Sequence, residues 1–328
     1  MVCSLYKRGI LVIPLFAHIL TAASCITNNI GGGRLGDQLL VYVKAKWFSY
    51  YYKTDFVLTP FDGFEQFRFF SSERHILPGV AAKILLDDEK LLLQSQEEQE
   101  TVLYHVHLHS KSLLWGDWYD HTTWYGCVDD AHFKSHIQDM LQPVANVSLL
   151  QLPTDRVTVA LHVRRGGGFD KPTLSPSMVQ KWWYKLRYIA YADQAAPLKF
   201  APDSFYCTAL RMLSEMLNHV PMYVYIFTDD FDPSAIARAY QDALNMPQVT
   251  FDFRLTEHGP DQHVVDDIVN MSRFDCLIRP ESSFSKVADI MGNHAIILFP
   301  HAKRWEGNTL HITHITVMDH GARTIVAV

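Results

Sequence analysis

The second half of the chain alternates short apolar runs with amphipathic stretches, and this alternation constrains the fold more than any other feature. The apolar runs have the length and β-branched composition of buried strands and cover residues 156–163, 222–230, 249–254, 275–279 and 295–299. Stretches with apolar residues at helical spacing separate them, over 204–217, 233–244, 266–274 and 282–292. Strands that alternate with helices predict a parallel, doubly wound α/β sheet, with 295–299 as its last strand.

The first half opens with a second unit of the same kind. A short strand over 26–30 leads into a glycine-rich turn over 31–38, and a helix follows from Leu39. Strand, glycine-rich turn and helix form the first unit of a Rossmann-like half. Further along, 87–100 has the pattern of an amphipathic helix with an acidic face, and 111–125 is rich in aromatic residues. That aromatic segment fits either the wall of a sugar site or ordinary packing.

Length and composition favour two domains. The 328 residues and the 48 % hydrophobic content are enough for two cores. A proline-containing link near 151–155 predicts an N-terminal domain over 26–152 and a C-terminal domain over 153–328. The net charge of −6 lacks the basic excess of a nucleic-acid-binding protein. An anionic ligand would therefore have to be held by a local cluster of cations.

The first 25 residues have the layout of a secretory signal. Lys7 and Arg8 precede an apolar run over 9–20, and small residues follow at 21–24. The run is short for a transmembrane helix, and Pro14 interrupts it. The segment is therefore interpreted as a cleaved signal or a short membrane anchor, which implies a secretory compartment or a membrane. If the leader is not functional, the protein would be cytoplasmic.

The cysteine and histidine patterns do not predict a metal centre. The five cysteines, at positions 3, 25, 127, 207 and 276, have no metal-ligand spacing and are interpreted as incidental thiols. His105, His107 and His109 alternate along a short run and could share one face of a strand. A polar strand face needs no metal, so we expect neither a metal ion nor another cofactor.

Basic and polar residues follow the first strand of the second half. Arg164 and Arg165 close this strand, three glycines come next, and His162 lies two residues before Arg164. A diphosphate requires fixed cationic donors, and the planar fork of arginine matches phosphate oxygens. Glycine lets the backbone approach a ligand closely. His162 could donate to a phosphate or hold an arginine in place. The alternative is a strand end whose arginines pair with surface carboxylates.

A second anion-binding signal lies at the predicted start of the helix over 282–292. Ser282 and Ser283 fall at its first positions, where unsatisfied N–H groups and the helix dipole favour an anion. A serine there can also be a purely structural cap. Because the carboxyl ends of parallel strands share one sheet edge, we expect this helix start beside the arginine loop.

Four short motifs, in the same order, resemble fucosyltransferases that use GDP-fucose. They are GRLGDQ at 33–38, HVRRG at 162–166, FTDD at 227–230 and a run from Asp267 to Ser285. The resemblance covers roughly residues 28–300 and is greatest to the α-1,2-fucosyltransferase family, with protein O-fucosyltransferases and core α-1,6 enzymes as relatives. It implies the GT-B fold, an α/β architecture of two facing Rossmann-type domains with parallel sheets. It also implies metal-independent, inverting transfer of fucose from GDP-fucose to a hydroxyl of a glycan acceptor.

The resemblance assigns roles to residues of this chain. It implies that Arg164 binds the β-phosphate and supports the leaving group, beside His162 and Arg165, and that Asp267 contacts guanine. The other donor-site residues that it implies are Gly36, Gln38, Asp229, Ser282, Ser283 and Phe284.

Two departures from the family pattern concern the catalytic base. Gly167 stands where the family has an acid, and the nearest acid is Asp170; Asp37 replaces a family asparagine. Asp170 and Asp37 are therefore the candidate bases. The same departures keep two alternatives open. One is a transferase with another nucleotide sugar or a protein acceptor. The other is a nucleotide-sugar-binding protein without turnover.

Overall fold

A computed structural model of the chain describes residues 25–28, 34–75, 84–85, 103–106, 130–165, 197–254 and 264–328. The leader, the helix expected over 87–100, the aromatic segment over 111–125, His107, His109 and Asp170 lie outside these ranges. Cys25, Cys207 and Cys276 are buried free thiols, as expected. Within the described ranges, no helix combines the length and apolar character that crossing a membrane would require.

The first half contains a sheet of parallel strands in the order β2–β1–β4–β3. These strands are β1 (Cys25–Asn28), β2 (Asp55–Phe56), β3 (Ile84–Leu85) and β4 (Leu103–Val106). The helices described in this half are α1 (Leu35–Tyr52), α2 (Phe69–Ser72) and α3 (Ala131–Met140), with a 3₁₀ turn at Phe64–Gln66.

The second half contains a larger sheet in the order β11–β10–β9–β8–β5–β6–β7. Its strands are β5 (Val157–Val163), β6 (Met222–Thr228), β7 (Val249–Phe253), β8 (Cys276–Ile278), β9 (Ile296–Glu306), β10 (Thr309–Asp319) and β11 (Ala322–Ala327). The helices are α4 (Asp203–Met216), α5 (Pro233–Leu244), α6 (Val264–Met271) and α7 (Ser283–Met291). Strands β5 to β9 are parallel, which confirms the predicted alternation.

The prediction that 295–299 ends the sheet is wrong. Strand β9 continues to Glu306, and the chain turns at Gly307, whose φ of 59° lies in the left-handed region, into the antiparallel strands β10 and β11. Ile312, Ile315 and Val317 of β10 are buried in the core of this half. Their β-branched side chains favour a strand, but no helical stretch precedes β10 to signal another β–α unit.

Helix α1 begins earlier than predicted and is buried on more than one side. The glycine-rich pattern suggests a turn up to Gln38, whereas the helix starts at Leu35, so Gly36 and Asp37 belong to its first turn. Every side chain over 39–45 is buried, because α1 packs against the small sheet and also against α3 and α7. The first turn of α1 is thereby fixed between the two halves.

Helices α6 and α7 connect the cores of the two halves. Ile268 of α6 and Val287 and Ile290 of α7 belong to the apolar cluster of the first half. Met271 and Ala288, from the same helices, pack into a cluster on the large sheet. The domain boundary at residue 152 stays a prediction. Helices α6 and α7 themselves pack into the cores of both halves.

Candidate functional site

A pocket of about 220 Å³ opens where the carboxyl ends of β5 and β6 meet the start of α1. The described residues that line it come from three helix starts, two strand ends and a second 3₁₀ turn, Pro197–Phe200. They are Arg34, Leu35, Gly36, Asp37, His162, Arg164, Lys199, Phe227, Thr228, Asp229, Val264, Asp267, Ser282, Ser283 and Phe284. The expected meeting of the arginine loop with the start of α7 is confirmed.

The helices α1 and α7 begin at the pocket without a side-chain cap. The N-cap of α1 is Arg34, which has no acceptor group, and the hydroxyl of Ser282, the N-cap of α7, makes no cap hydrogen bond. Helices α3 and α5 are capped by the carboxylates of Asp130 and Asp232, while α4 follows Pro202. An uncapped first turn presents N–H groups and the positive end of the helix dipole to a ligand. The pocket therefore favours an anion.

Glycine at position 36 allows α1 and α7 to begin side by side. A Cβ atom there would lie 2.7 Å from the backbone nitrogen and 2.8 Å from the Cα atom of Phe284. These distances are too short for any side chain. Gly36 is thus required by the close approach of two backbones.

The cations that line the described part of the pocket are Arg34, Arg164 and Lys199. Arg164 is 8 % exposed, and its guanidinium carbon lies 5.9 Å from the centroid of the Phe200 ring. The Nη2 atom of Arg34 lies 4.0 Å from Oδ2 of Asp229. The sequence pattern indicates Arg164 by its place at a strand end. It missed Arg34, which reads as part of a turn, and Lys199, which belongs to no motif.

His162 lines the same pocket and is buried, with 5 % of its surface exposed. Its ring centroid lies 5.5 Å from that of Phe284. Burial, and then the charges of Arg164, Arg279 and Arg34, lower the pKa of His162 to about 3, so its ring is neutral near pH 7. In the part of the chain that the structure describes, its Nδ1 atom has no hydrogen-bond partner. A buried polar atom of this kind indicates a ligand or solvent partner.

Two of the acidic residues predicted for the donor site contact arginines. Oδ1 of Asp229 accepts a 2.6 Å hydrogen bond from the backbone N–H of Arg165. Oδ1 of Asp267 lies 3.1 Å from Nη1 of Arg254. Both carboxylates are thereby held at the pocket wall beside a positive group.

The two candidate bases differ in what the structure shows. Asp37 lies in the first turn of α1 and lines the pocket together with Arg164. Asp170 lies outside the described residues, and its role stays a prediction.

Two other predicted donor-site residues do not line the described pocket. The side chain of Arg165 forms an ion pair with Asp203, because successive residues at the strand end point to opposite sides. Gln38 is buried within α1, since the helix starts at Leu35 and turns this side chain away from the pocket.

No protein-family model and no curated protein matches the sequence. Solved structures do match. The chain is similar to a variant of FUT1 from Arabidopsis thaliana in complex with GDP, with a TM-score of 0.51 and 10 % identity over 89 % of this chain and 73 % of that one. It is also similar to NodZ α-1,6-fucosyltransferase soaked with GDP-fucose, with a TM-score of 0.44 and 12 % identity over 91 % and 99 %. A third match is fucosyltransferase NodZ from Bradyrhizobium, with a TM-score of 0.42 and 12 % identity over 92 % and 99 %.

At 10 % identity, the similarity to FUT1 is a similarity of fold. It agrees with the mixed α/β architecture and the two sheets built on parallel strands. The chain therefore has the GT-B-type fold that its motifs implied.

Proposed function

We propose that the pocket binds GDP-fucose and that the protein transfers fucose from it to a hydroxyl of a glycan acceptor. One observation carries this proposal: two uncapped helix starts converge with Arg34, Arg164 and Lys199 on one pocket. Directed N–H donors combined with fixed cations are what a diphosphate requires. The likeness in fold to a fucosyltransferase that was solved with GDP supports the choice of nucleotide.

Asp267 provides a reason to expect guanine. Its carboxylate could accept hydrogen bonds from N1–H and the 2-amino group of the base, and Nη1 of Arg254, 3.1 Å from Oδ1, would orient it. Uracil lacks this pair of donors, and so does adenine. A base that cannot donate to this carboxylate forgoes these hydrogen bonds and should bind more weakly.

The transfer step can be assigned to residues of the pocket. The acceptor oxygen bonds to C1 of fucose while the C1–O bond to the β-phosphate breaks, and the phosphate takes the electron pair. Arg164 and the N–H groups of α7 would stabilise this developing charge, and neutral His162 would donate to a phosphate oxygen. Attack from the face opposite the leaving group inverts C1. Asp37 would take the proton of the acceptor hydroxyl, with Asp170 as the other candidate.

Calorimetry with GDP, UDP and ADP tests the donor part of the proposal. We expect GDP to bind roughly tenfold or more tightly than the other two. An Asp267→Asn variant, which turns part of the acceptor surface into a donor, should lose this preference. Equal affinity of the unaltered protein for all three nucleotides would contradict the assignment.

A transfer assay with GDP-fucose and a panel of galactosides tests the catalytic part. The proposal is transfer to a 2-hydroxyl of galactose, unchanged by EDTA because side chains and helix ends supply the positive charge. Loss of activity on chelation and recovery with manganese would show that a metal is required. Tight GDP binding without transfer to any sugar or protein acceptor would favour the non-catalytic alternative.

A further inference from the structure

Three buried charged side chains, Arg279, Lys286 and Asp289, lie behind the first turns of α7 together with Glu281, whose side chain is 13 % exposed; we call these four the buried charge cluster. Nη2 of Arg279 lies 3.3 Å from Oδ2 of Asp289, and Nη1 lies 3.7 Å from Oε1 of Glu281. Nζ of Lys286 lies 2.8 Å from Oε2 of Glu281. The guanidinium of Arg279 is 1 % exposed and lies 4.3 Å from the centroid of the Phe299 ring. The cluster thus contains two cations and two anions in contact.

The buried charge cluster connects the pocket wall to the large sheet. The backbone N–H of Arg279 extends the hydrogen bonding between β8 and β9, and the N–H of Glu281 donates to the carbonyl of Leu198 at 3.0 Å. Glu281 directly precedes Ser282, and the N–H of Lys286 donates to the carbonyl of Ser282 at 3.1 Å. Backbone hydrogen bonds therefore fix members of the cluster both before and after Ser282, the N-cap of α7.

Stability alone is a weak explanation for such a cluster. Removing four charges from water is costly, and apolar side chains of similar volume often give equal or greater stability. A network of buried ion pairs does fix geometry, because each charge is satisfied in few arrangements. The place where geometry matters most is next to the cluster, where Ser282 and Ser283 line the same pocket as Arg164.

We propose that the buried charge cluster is a positioning device for the diphosphate, with Glu281 and Lys286 as its central pair. It holds Ser282 and Ser283 at a fixed distance from Arg164, so that helix N–H groups and guanidinium reach the same phosphate. Its members are positioning residues. The inference rests on the proposed function, since it assumes a phosphate group at the start of α7.

The test is a double variant, Glu281→Gln with Lys286→Met. Removing one carboxylate and one ammonium together leaves no uncompensated charge in the interior. The matched control is Asp55→Asn with Arg74→Met, which removes an exposed ion pair of 2.9 Å at β2. A third variant, Lys286→Arg, keeps the charge at its place. Thermal melting and GDP calorimetry are measured for each full-length protein.

We expect the double variant to melt within about 5 °C of the unaltered protein. We also expect it to bind GDP roughly tenfold or more weakly, because a small misplacement of a binding group has a large effect. The control should change neither value, and Lys286→Arg should retain most of the affinity. A double variant that binds GDP normally, or that fails to fold, would overturn the positioning role and leave the proposed function intact. If the unaltered protein does not bind GDP, the proposed function fails and this inference fails with it.

Discussion

His162, Arg164 and Arg165 show how one strand end distributes its side chains. Residues at alternate positions share a face, so His162 and Arg164 both line the pocket, while Arg165 turns away to Asp203. The sequence indicated all three from their position at the end of a buried strand. The sequence could not show which of the two arginines faces the pocket, because either guanidinium is suited to bind phosphate. Arg34 was missed because the glycine-rich pattern around it suggests a turn. The helix that begins beside it depends on packing against other elements, which the local pattern does not show.

Replacing Arg164 by alanine should nearly abolish transfer and leave the fold intact. Loss of one donor to the developing charge typically costs about 10²–10³ in rate. Arg164→Lys should restore only part of it, because an ammonium cannot make two parallel bonds. The measurement is the transfer rate beside thermal melting, with Arg165→Ala as the control that should retain far more activity. Near-normal turnover of Arg164→Ala would refute the donor-site assignment, and an unfolded variant would show that this arginine is structural.

The burial of His162 should make stability depend on pH. Its pKa is about 3 in the folded chain and about 6.5 in an unfolded one. Between these values the unfolded state binds a proton that the folded state does not, so stability falls as pH drops below about 6.5. Urea unfolding should show that the unaltered protein loses about 2 kcal/mol more than His162→Gln does between pH 7 and pH 5. Equal losses in the two proteins would mean that His162 is protonated more easily than its surroundings indicate.

At the scale of elements, α7 is held at both ends by the first half of the chain. Gly36 of α1 touches its start, and Nε2 of Gln138 in α3 donates to the carbonyls of Ile290 and Gly292 at its end, at 3.2 and 3.1 Å. The positions of α4, α5 and α7 agree closely with their sequence patterns, since each combines a periodic apolar face with a clear boundary, whereas α6 ends at Met271, before the expected end at residue 274. The early start of α1 could not be predicted, because glycines and an aspartate favour a turn unless neighbouring helices impose otherwise.

Gly36→Ala should separate the starts of α1 and α7. A methyl group 2.7 Å from the backbone nitrogen of Phe284 forces one helix to move, at a cost of about 1–3 kcal/mol in stability. GDP affinity should fall with it, because the two helix starts no longer face one phosphate. Gly292→Ala is the matched control, since its Cβ would lie 2.8 Å from the carbonyl oxygen of Ser272, away from the pocket. Comparable loss of GDP affinity in both variants would argue against a specific role for the helix contact.

At the scale of the whole molecule, the two sheets share α6 and α7 rather than only facing each other. Ile268, Val287 and Ile290 complete the core of the first half although they belong to the second half of the chain. The order of motifs was enough to predict the GT-B-type architecture. The packing of α6 and α7 into both cores could not be predicted. A helix between two strands is expected to pack on the sheet of those strands, and its apolar pattern does not indicate which element covers its other face.

A fragment of residues 153–328 should therefore fold poorly by itself. Without the first half, the apolar side chains Ile268, Val287 and Ile290 would face water. We expect a weak, broad thermal transition and reduced near-ultraviolet circular dichroism compared with the full chain. Cooperative melting of the fragment with native-like tertiary signal would show that the second half is an independent folding unit.

The missing caps of α1 and α7 make a bound ligand part of the helix structure itself. A side-chain cap typically contributes about 1 kcal/mol, and these two helices have none. An anion that accepts their first N–H groups would complete both turns, so amide hydrogen exchange there should slow when the site is occupied. Mutations selected only for thermal stability, such as an aspartate at position 34, would satisfy α1 internally and occupy the place of the substrate. Selection for stability of the ligand-free protein is thus opposed at these two helix starts, because substrate binding requires them to stay uncapped.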